Sequence, residues 1–363
     1  MSLRDLLQGV PIPIVQAPMV GAQDERMTIA VCQAGAMGSL GAGGLAPADI
    51  EAAAAAIRAA TDAPFNVNLQ MAPALKPSAE ALGAAMTRLE RWYARFGEPL
   101  PPTPNTFAHE FEAQLEALVR VAPPIASFIF GVLDRADVER LKAAGSYVVG
   151  TANTVAEARA WAGAGADGIC AQGFEAGGHH GYFLGDIEAS SVGTMALVAT
   201  IAAAVEIPVI AAGGIMDGRG IAAALMLGAA GVQMGTAFLS SPESGISAAW
   251  REALRGAKDD STRVSRIYSG RYARGMVNEF MRKLTPVVNE IPPYPIQNAL
   301  TQPIRQAAAK AGRGEYLSLW AGQAASMARG IPAAELFAAL VRETYDALGR
   351  AASASSPRAS SAR

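Results

Sequence analysis

Two of the three histidines in this 363-residue chain stand side by side on a glycine-rich turn, in the stretch AQGFEAGGHHGYF. They are His179 and His180, directly after Gly177 and Gly178. With an unperturbed pKa near ~6.5, imidazole is the side chain best suited to accept a proton at neutral pH. The third histidine, His109, falls in a polar insertion, and we predict that it lies on the surface.

Two later glycine turns have the residue types expected of a phosphate site. VIAAGGIMDGRG contains Gly213 and Gly214 just ahead of a helical segment, and GVQMGTAF contains Gly235 and Thr236. Glycines let backbone N–H groups approach an anion, and the first N–H groups of a helix attract negative charge. Glycines that merely close tight turns are the alternative. We assign Asp217 to the helix N-cap rather than to a ligand.

Several other chemistries lack the residues they need. No pair of carboxylates closes neighbouring strands, which counts against glycoside hydrolysis, and no set of His, Asp and Glu stands at metal-ligand spacing. We therefore predict no metal site. Cys32 and Cys170 match no redox or zinc spacing and are predicted to be buried side chains.

Short apolar runs, most of them followed by an alanine-rich amphipathic segment, must position these turns. Such strands alternating with helices are typical of a parallel sheet, and eight units in about 240 residues fit a (β/α)8 barrel. An open, doubly wound sheet is the alternative. Barrels carry their functional residues at the carboxyl ends of the strands. The predicted strands are Ile12–Gln16, Met37–Leu40, Phe65–Leu69, Ala126–Phe130, Tyr147–Thr151, Gly168–Gln172, Val209–Ala212 and Gly231–Gly235.

A change of composition predicts a second unit. Arginines, prolines and aromatics replace alanine over residues 240–313, which indicates a small, mostly helical domain. The barrel domain then comprises residues 1–239 and 314–350. Residues 351–363 have no apolar face and are predicted to be disordered, and Phe96–Pro124 is expected to be an irregular insertion.

The bulk composition excludes several classes of partner. With 51% hydrophobic and 17% charged residues and a formal net charge of −2, the chain fits a buried α/β scaffold and offers no basic surface for nucleic acid. We find neither a signal-peptide pattern nor an apolar run of the ~20 residues that a membrane helix needs. The expectation is a cytoplasmic protein that binds no membrane.

Amides at predicted strand ends indicate a flat heterocyclic ligand. Asn68 and Gln172 offer the donors and acceptors that a ring with N–H and C=O edges requires, and Met19 offers a soft apolar contact. Flavin mononucleotide (FMN), with one ring system and one phosphate, fits such a site. The alternative is that these amides cap backbone groups.

Five stretches, in the correct order over residues 11 to about 325, resemble the nitronate monooxygenase family, formerly called 2-nitropropane dioxygenases. They are VQAPMVGAQ, PFNVNLQ, AQGFEAGGHHG, AAGGIMDGRGIAAALMLGAAGVQMGTAFLSSPES and GRYARGMVNEF. The resemblance implies an FMN-binding TIM barrel with a small, mostly helical substrate domain. It also implies the oxidation of alkyl nitronates, such as propionate 3-nitronate, by O₂ to a carbonyl compound and nitrite.

The resemblance assigns roles to individual residues. His179 is implied to be catalytic: it would accept the α-proton of a nitroalkane or hold a nitro oxygen of the anion. The alternative is that it only fixes its own loop. His180 stands at a position that varies in the family, and we predict that it faces solvent or supports the site from behind. The implied cofactor-binding residues are Met19, Asn68, Gln172, Gly177, Gly178, Gly213, Gly214, Gly235 and Thr236.

One position departs from the family pattern. Many members with nitronate activity have a second histidine where Ile129 stands in the stretch SFIFG. An aliphatic side chain there would weaken a site for the nitronate anion and favour a larger or less charged substrate. Tyr294 resembles a tyrosine that lines the family's pocket, with plain packing as the alternative. Arg271 and Arg274 are predicted to make interdomain or anion contacts, with a structural role favoured.

Two other functions stay open from the sequence. The scaffold also resembles flavin-dependent NAD(P)H:quinone reductases and a flavin-containing enoyl reductase, which would need room for a nicotinamide. A barrel that carries flavin without catalysis is the other alternative. The expected partners are a nitronate and O₂, and a homodimer is left open.

Overall fold

Eight parallel strands form a closed barrel. The computed structural model describes residues 12–100, 104 and 106–355. Its strands are β1 (Ile14–Gln16), β2 (Ser39–Gly41), β3 (Asn66–Gln70), β4 (Ile125–Ile129), β5 (Tyr147–Ala152), β6 (Gly168–Gln172), β7 (Gly178–His179), β8 (Val209–Ala212), β9 (Gly231–Met234), β10 (Thr262–Ser265) and β11 (Ala273–Met276).

The pairing of these strands settles the choice between barrel and open sheet. The parallel sheet runs β1-β9-β8-β6-β5-β4-β3-β2, and a parallel bridge between Val15 and Met37 joins its two edges. Across this closure the N–H of Gln16 donates to the carbonyl of Met37 at 2.9 Å. The predicted (β/α)8 barrel is confirmed, and all eight predicted strands are present.

Helices surround the barrel and begin where the sequence supplies caps. The side chains of Asp24, Asp134 and Asp217 each accept N–H groups in the first turn of the helix that follows them, which confirms Asp217 as an N-cap. The helices are α1 (Glu25–Gln33), α2 (Pro47–Ala60), α3 (Ala79–Arg95), α4 (Phe111–Val121), α5 (Arg135–Ala143), α6 (Val155–Ala164), α7 (Thr194–Ala202), α8 (Gly218–Met226), α9 (Thr236–Leu239), α10 (Ala248–Arg255), α11 (Glu279–Leu284), α12 (Ile296–Lys310) and α13 (Ala333–Ser355).

The barrel strands are buried on both faces, which is why they read as apolar runs. In β4, Ala126 and Phe128 pack outward against the helices, while Ile125 belongs to a separate cluster inside the barrel. Toward the carboxyl ends the interior becomes polar, and Asn68 donates from Nδ2 to the hydroxyl of Ser127 at 2.9 Å. This polar layer forms the floor of the cavity described below.

A second apolar cluster joins residues of the predicted small domain to α3. Trp92 and Leu89 of α3 pack with Phe280 and Ile304, so this helix, which the sequence boundaries assign to the barrel, lies in the second cluster. The small unit also contains the strands β10 and β11, which were not predicted. Because β11 pairs with β7, the second cluster supports the backbone that carries His179. The division into two domains stays a prediction.

Two segments differ from their predicted structure. The insertion contains α4, because Leu115, Leu118 and Val121 recur at helical spacing and are buried. Helix α13 runs to Ser355, five residues into the segment predicted to be disordered; alanine-rich sequence extends a helix readily once its apolar face is anchored. Residues 356–363 lie outside the described residues. In the described ranges, no helix combines the length and apolarity needed to cross a membrane.

Candidate active site

A cavity of about 730 Å³ opens at the carboxyl ends of the barrel strands, a size typical of small-molecule sites. We call its strand-end side the rim. Its other side, the outer wall, is formed by Tyr294, Asn298, Gln302, Arg305 and Trp320. The cavity brings together every residue predicted for the site, whose roles stay predictions: Met19, Asn68, Ile129, Gln172, Gly177, Gly178, His179, Gly213, Gly214, Gly235, Thr236 and Tyr294.

The two glycine turns of the rim present unused backbone donors. Within the described chain, the N–H groups of Gly214, Ile215 and Met216 have no acceptor, and neither do those of Gly235 and Thr236. All five residues line the cavity. Ile215, Met216 and Thr236 are buried, and buried backbone donors are almost always paired, so free N–H groups on these adjacent loops are typical of an anion-binding site.

Gly213 shows why this loop needs glycine. Its φ is +113°, in the left-handed region that side chains rarely adopt. A Cβ at this position would stand 2.9 Å from the hydroxyl of Thr194 and 3.1 Å from the backbone nitrogen of Ala176. The start of α8 itself is already capped by Asp217, so the free loop N–H groups, rather than the helix terminus, are the donors available to an anion.

Side-chain amides line the floor and the far side of the rim. Asn68 is buried and uses one N–H on Ser127, which leaves its other N–H and its carbonyl oxygen for a ligand. Gln70 accepts a 2.8 Å hydrogen bond from the Tyr294 hydroxyl and so links rim to outer wall. Met19 lies half-buried near the Gly235 turn, as a soft apolar contact would require.

Gln172 holds the turn that carries the histidines. Its Nε2 donates to the carbonyl of His179 at 2.9 Å, and its Oε1 accepts the N–H of Gly181 at 2.7 Å. Asn153 steadies this amide by donating from Nδ2 to its Oε1 at 3.2 Å and to its backbone carbonyl at 2.8 Å. One N–H of Gln172 remains for the predicted contact with a ligand ring.

Glu157 grips the next part of the same loop. Its carboxylate is fully buried and accepts the N–H groups of Phe183 at 2.5 Å, Leu184 at 3.1 Å and Asn153 at 2.8 Å. Hydrogen bonds to a buried charged acceptor are among the stronger ones in proteins. No local sequence signal marks Glu157, because a glutamate in the first turn of a helix normally lies in solvent.

Arg271 completes the hold from the side of the second cluster. Its guanidinium donates to the carbonyls of His180, at 3.0 Å, and Tyr182, and it stacks 4.2 Å from the centroid of the Phe130 ring. The structural role that the sequence analysis favoured for Arg271 agrees with these contacts. We call Glu157, Gln172 and Arg271 the clamp, and residues 179–184 the histidine loop.

The imidazole of His179 is anchored at one nitrogen. Its Nε2 lies 2.8 Å from the hydroxyl of Ser269, whose oxygen is also 3.1 Å from the carbonyl of Arg271. The single hydroxyl hydrogen can serve either the carbonyl or Nε2, so Ser269 can match either neutral tautomer of the ring. Nδ1 has no partner in the part of the chain that the structure describes.

Aromatic rings surround this imidazole. The ring centroid of His179 lies 5.7 Å from that of Phe130, 5.8 Å from that of Tyr294 and 5.4 Å from that of Trp320. Phe130 has a φ of +83°, a strained conformation for a non-glycine residue that is often found at functional sites. Trp320 and Ser269 were missed by the sequence analysis because they come from segments distant in the chain.

The pKa of His179 departs from the expected value. Burial, followed by the positive charges of Arg271 and Arg305 and by His180, lowers it to about 3. The ring therefore does not keep the pKa near ~6.5 of an unperturbed imidazole, and its role as a base stays a prediction. At neutral pH the ring is uncharged and acts as a hydrogen-bonding group.

Two positions were predicted for His180, and the one in which it faces solvent is wrong. Its side chain is 1% exposed, tilts against the ring of Phe174, and has no hydrogen-bond partner at either ring nitrogen among the described residues. Burial and the nearby Arg274 and Arg271 lower its pKa to about 3. His109 is exposed, as predicted, although it lies at the mouth of the cavity.

Arg274 and the two cysteines are the remaining residues that the sequence analysis considered. Arg274 donates to the carbonyl of Phe174 at 3.0 and 3.1 Å, a structural contact. Cys32 and Cys170 are buried and free, as expected. Over the described ranges no three His, Cys, Asp or Glu side chains gather as metal ligands would.

Sequence comparison agrees with this geometry. The family model described as nitronate monooxygenase matches residues 2–343. The nitronate monooxygenase of Pseudomonas aeruginosa is 42% identical over 341 residues, which cover 93% of this chain and 97% of that protein. The chain belongs to the nitronate monooxygenase family. The resemblance inferred from sequence motifs is confirmed, and the chain is an enzyme of this family.

Two solved structures are similar to this member of the nitronate monooxygenase family. A nitroalkane oxidase from Streptomyces ansochromogenes has a TM-score of 0.89 and 39% identity, and the match covers 97% of this chain and 100% of that chain. FabK from Thermotoga maritima has a TM-score of 0.75 and 28% identity over 97% of this chain and 98% of that chain. Of these two structures, the nitroalkane oxidase is the more similar.

Proposed function

We propose that this protein is an FMN-dependent nitronate monooxygenase that oxidises alkyl nitronates with O₂ to a carbonyl compound and nitrite. The observation that carries the proposal is one cavity that is lined both by two rim loops with free N–H groups and by an uncharged imidazole enclosed by aromatic rings. Its support from relatives is the similarity to proteins named nitronate monooxygenase and nitroalkane oxidase.

The residues present fit FMN. The family is flavin-dependent, and the unused N–H groups of Gly214, Ile215 and Met216, with those of Gly235 and Thr236, suit one phosphate. In this proposal Asn68, Gln172 and Met19 contact the ring, and Gly177 and Gly178 lie beside the chain that links ring to phosphate. When bound, FMN supplies the electron transfer that the side chains cannot perform.

The side chains of the protein then position the substrate and donate or accept a proton. We place the reacting carbon against Nδ1 of His179, inside the rings of Phe130, Tyr294 and Trp320, which exclude water. A nitronate oxygen accepts a hydrogen bond from Nδ1–H while Ser269 donates to Nε2. The opposite tautomer leaves a lone pair on Nδ1 for a carbon-bound proton. Because the pKa of His179 is lowered to about 3, proton uptake from a neutral nitroalkane is disfavoured, and substrates that arrive as anions are preferred.

Steady-state analysis of the purified holoenzyme tests this function. We expect a yellow protein that releases FMN on heating, identified by chromatography, and that forms nitrite from ethylnitronate in air with consumption of O₂. Release of a different flavin, or nitrite formation that does not depend on O₂, would contradict the proposal.

The reductase alternative has weaker support. It rests on the similarity to FabK, whose identity to this chain is 28%, against 39% for the nitroalkane oxidase. A reductase would consume NADH or NADPH as its electron donor. Anaerobic mixing of the holoenzyme with ethylnitronate, NADH and NADPH separates the two functions.

A further inference from the structure

Arg305 of α12 is the one arginine or lysine among the described residues that line the cavity. Its side chain is half-buried, and no carboxylate in the described ranges forms an ion pair with it. Burial lowers its pKa to about 10, so the guanidinium is charged at neutral pH. A charge that is withdrawn from water without a counter-ion destabilises a protein, so a charge of this kind in a cavity indicates a functional role.

The guanidinium of Arg305 is fixed in position but keeps donors unused. Its Nη2 donates to the backbone carbonyl of Asn298 at 3.1 Å and to the Oδ1 of the same residue at 2.8 Å. Its Nη1 makes one long contact with the hydroxyl of Ser318 at 3.4 Å, and its Nε has no partner in the part of the chain that the structure describes. The N–H group at Nε and one at Nη1 are therefore free to donate to another molecule.

The imidazole of the site supplies no positive charge of its own. Burial, then the charge of Arg271 and then that of Arg305 lower the pKa of His179 to about 3, so the ring is neutral while Arg305 is charged. The guanidinium of Arg271 is occupied by the carbonyls of the histidine loop and by the ring of Phe130, and it does not line the cavity. Because the field of Arg305 reaches the imidazole, it also reaches a negative charge that forms beside this ring.

We propose that Arg305 is a catalytic residue for the reduction of O₂, which it accelerates by stabilising the superoxide anion that O₂ becomes. In this step O₂ takes one electron from the reduced cofactor, which loses that electron; no bond forms or breaks and no proton moves. A neutral molecule thus gains a full negative charge, which accepts hydrogen bonds from Nε and Nη1. A fixed positive charge in a site that excludes water stabilises such a product strongly. This inference rests on the proposed function, which supplies the reduced FMN and the O₂.

Reoxidation of FMN that has been reduced by light tests the proposal without any nitronate. The holoenzyme is photoreduced without O₂, with EDTA as the electron donor, and is then mixed with buffers of known O₂ concentration. Flavin absorbance gives the second-order rate constant of reoxidation, which we expect to fall about 10- to 100-fold in Arg305→Gln because the charge is lost. Arg305→Lys keeps the charge, so its rate constant should stay within about 3-fold of the unaltered enzyme. Arg282→Gln, which alters an exposed arginine of α11, is the matched control and should change nothing.

Azide, a small anion, tests the same charge in the resting oxidised holoenzyme. Calorimetric titration should show azide binding that is at least about 10-fold weaker in Arg305→Gln, with FMN content unchanged. Saturating azide should also slow reoxidation of the unaltered enzyme, a result that does not depend on how well a variant folds. Equal reoxidation rate constants for Arg305→Gln and the unaltered enzyme, or reoxidation that azide does not slow, would overturn the proposal.

Two further results separate the proposal from other roles of Arg305. Weaker FMN binding in both Arg305→Gln and Arg305→Lys would assign the guanidinium to the cofactor and would also overturn the proposal. Neither the reoxidation experiment nor the azide titration uses a nitronate, so their outcome is independent of whether nitrite is formed. A failure of the proposed function is therefore distinguishable from a failure of this inference.

Discussion

The rim and the outer wall of the cavity differ in both chemistry and origin. The rim offers neutral hydrogen-bonding groups, which are backbone N–H groups on two loops and the amides of Asn68 and Gln172. The outer wall offers rings and charge, from Tyr294, Trp320 and Arg305. The rim residues lie at or after the ends of several barrel strands, whereas the outer-wall residues all lie between positions 294 and 320.

This difference indicates that the two sides of the cavity bind different molecules. A group that binds the rim meets many weak donors and acceptors in fixed positions, which suits a constant cofactor. A group that binds the outer wall contacts a few aromatic or charged residues, which suits selection among substrates. The histidine loop lies between the two, held by Gln172 from the rim and by Arg271 from the second cluster. The variants below should therefore separate cofactor binding, chemistry and loop position.

We expect the largest effect from a substitution of His179, which lies between the rim and the outer wall. His179→Gln removes the ring but keeps a polar side chain, and we expect kcat/KM for ethylnitronate to fall about 1,000-fold, as loss of a proton-handling group typically causes. FMN content should stay the same. His109→Gln, at the exposed mouth, is the matched control and should retain full activity. A decrease smaller than about 10-fold in His179→Gln would refute a catalytic role.

For a variant on the rim, we expect weaker FMN binding rather than a slower chemical step. Gly213→Ala places a methyl group against Thr194 and Ala176 and strains a φ of +113°, so we expect the FMN dissociation constant to rise about 10- to 100-fold. Gly145 has a similar φ of +102° with open space around it. Gly145→Ala is therefore the control that strains the backbone without a steric clash. Equal FMN affinity in the two variants would remove the phosphate assignment.

Glu157, the clamp residue that does not line the cavity, should control the rate without changing the binding of FMN or substrate. Glu157→Gln turns an amide N–H toward the backbone N–H groups of Phe183 or Leu184, and we expect kcat to fall about 10-fold with FMN binding unchanged. Asp167→Asn alters another carboxylate that accepts a backbone N–H, that of Val148 at 2.9 Å, and it lies outside the cavity. If both variants lose the same activity, the clamp has no special relation to the histidine loop.

The sequence predicted the rim far better than the outer wall. Strand ends such as Asn68 and Gln172 are set by local apolar patterns, and the barrel brings such ends together whatever lies between them. Arg305 and Trp320 reach the cavity, and Ser269 reaches the imidazole of His179, only through packing that no local pattern encodes. The burial of Glu157 was missed for the same reason: its partners are on a loop 26 residues later.

The smallest effect concerns stability. His180 is buried and has a pKa of about 3 in the native state, whereas its pKa in the unfolded chain is near ~6.5. Below pH 6.5 the unfolded chain therefore binds a proton that the native state does not bind. The free energy of unfolding should fall by about 1.4 kcal/mol per pH unit below 6.5 for this residue, with His179 adding in the same direction. Denaturant titrations at pH 7 and pH 5 should show a smaller difference in His180→Phe, whereas His109→Gln should keep the full difference.

The account depends most on which molecule delivers electrons inside this cavity. Stopped-flow absorbance measures this directly, when the oxidised holoenzyme is mixed without O₂ with ethylnitronate, NADH or NADPH in turn. We predict rapid loss of the oxidised flavin spectrum with ethylnitronate and no change with either pyridine nucleotide. Rapid bleaching by NADH or NADPH, with no response to the nitronate, would contradict the account and favour a reductase.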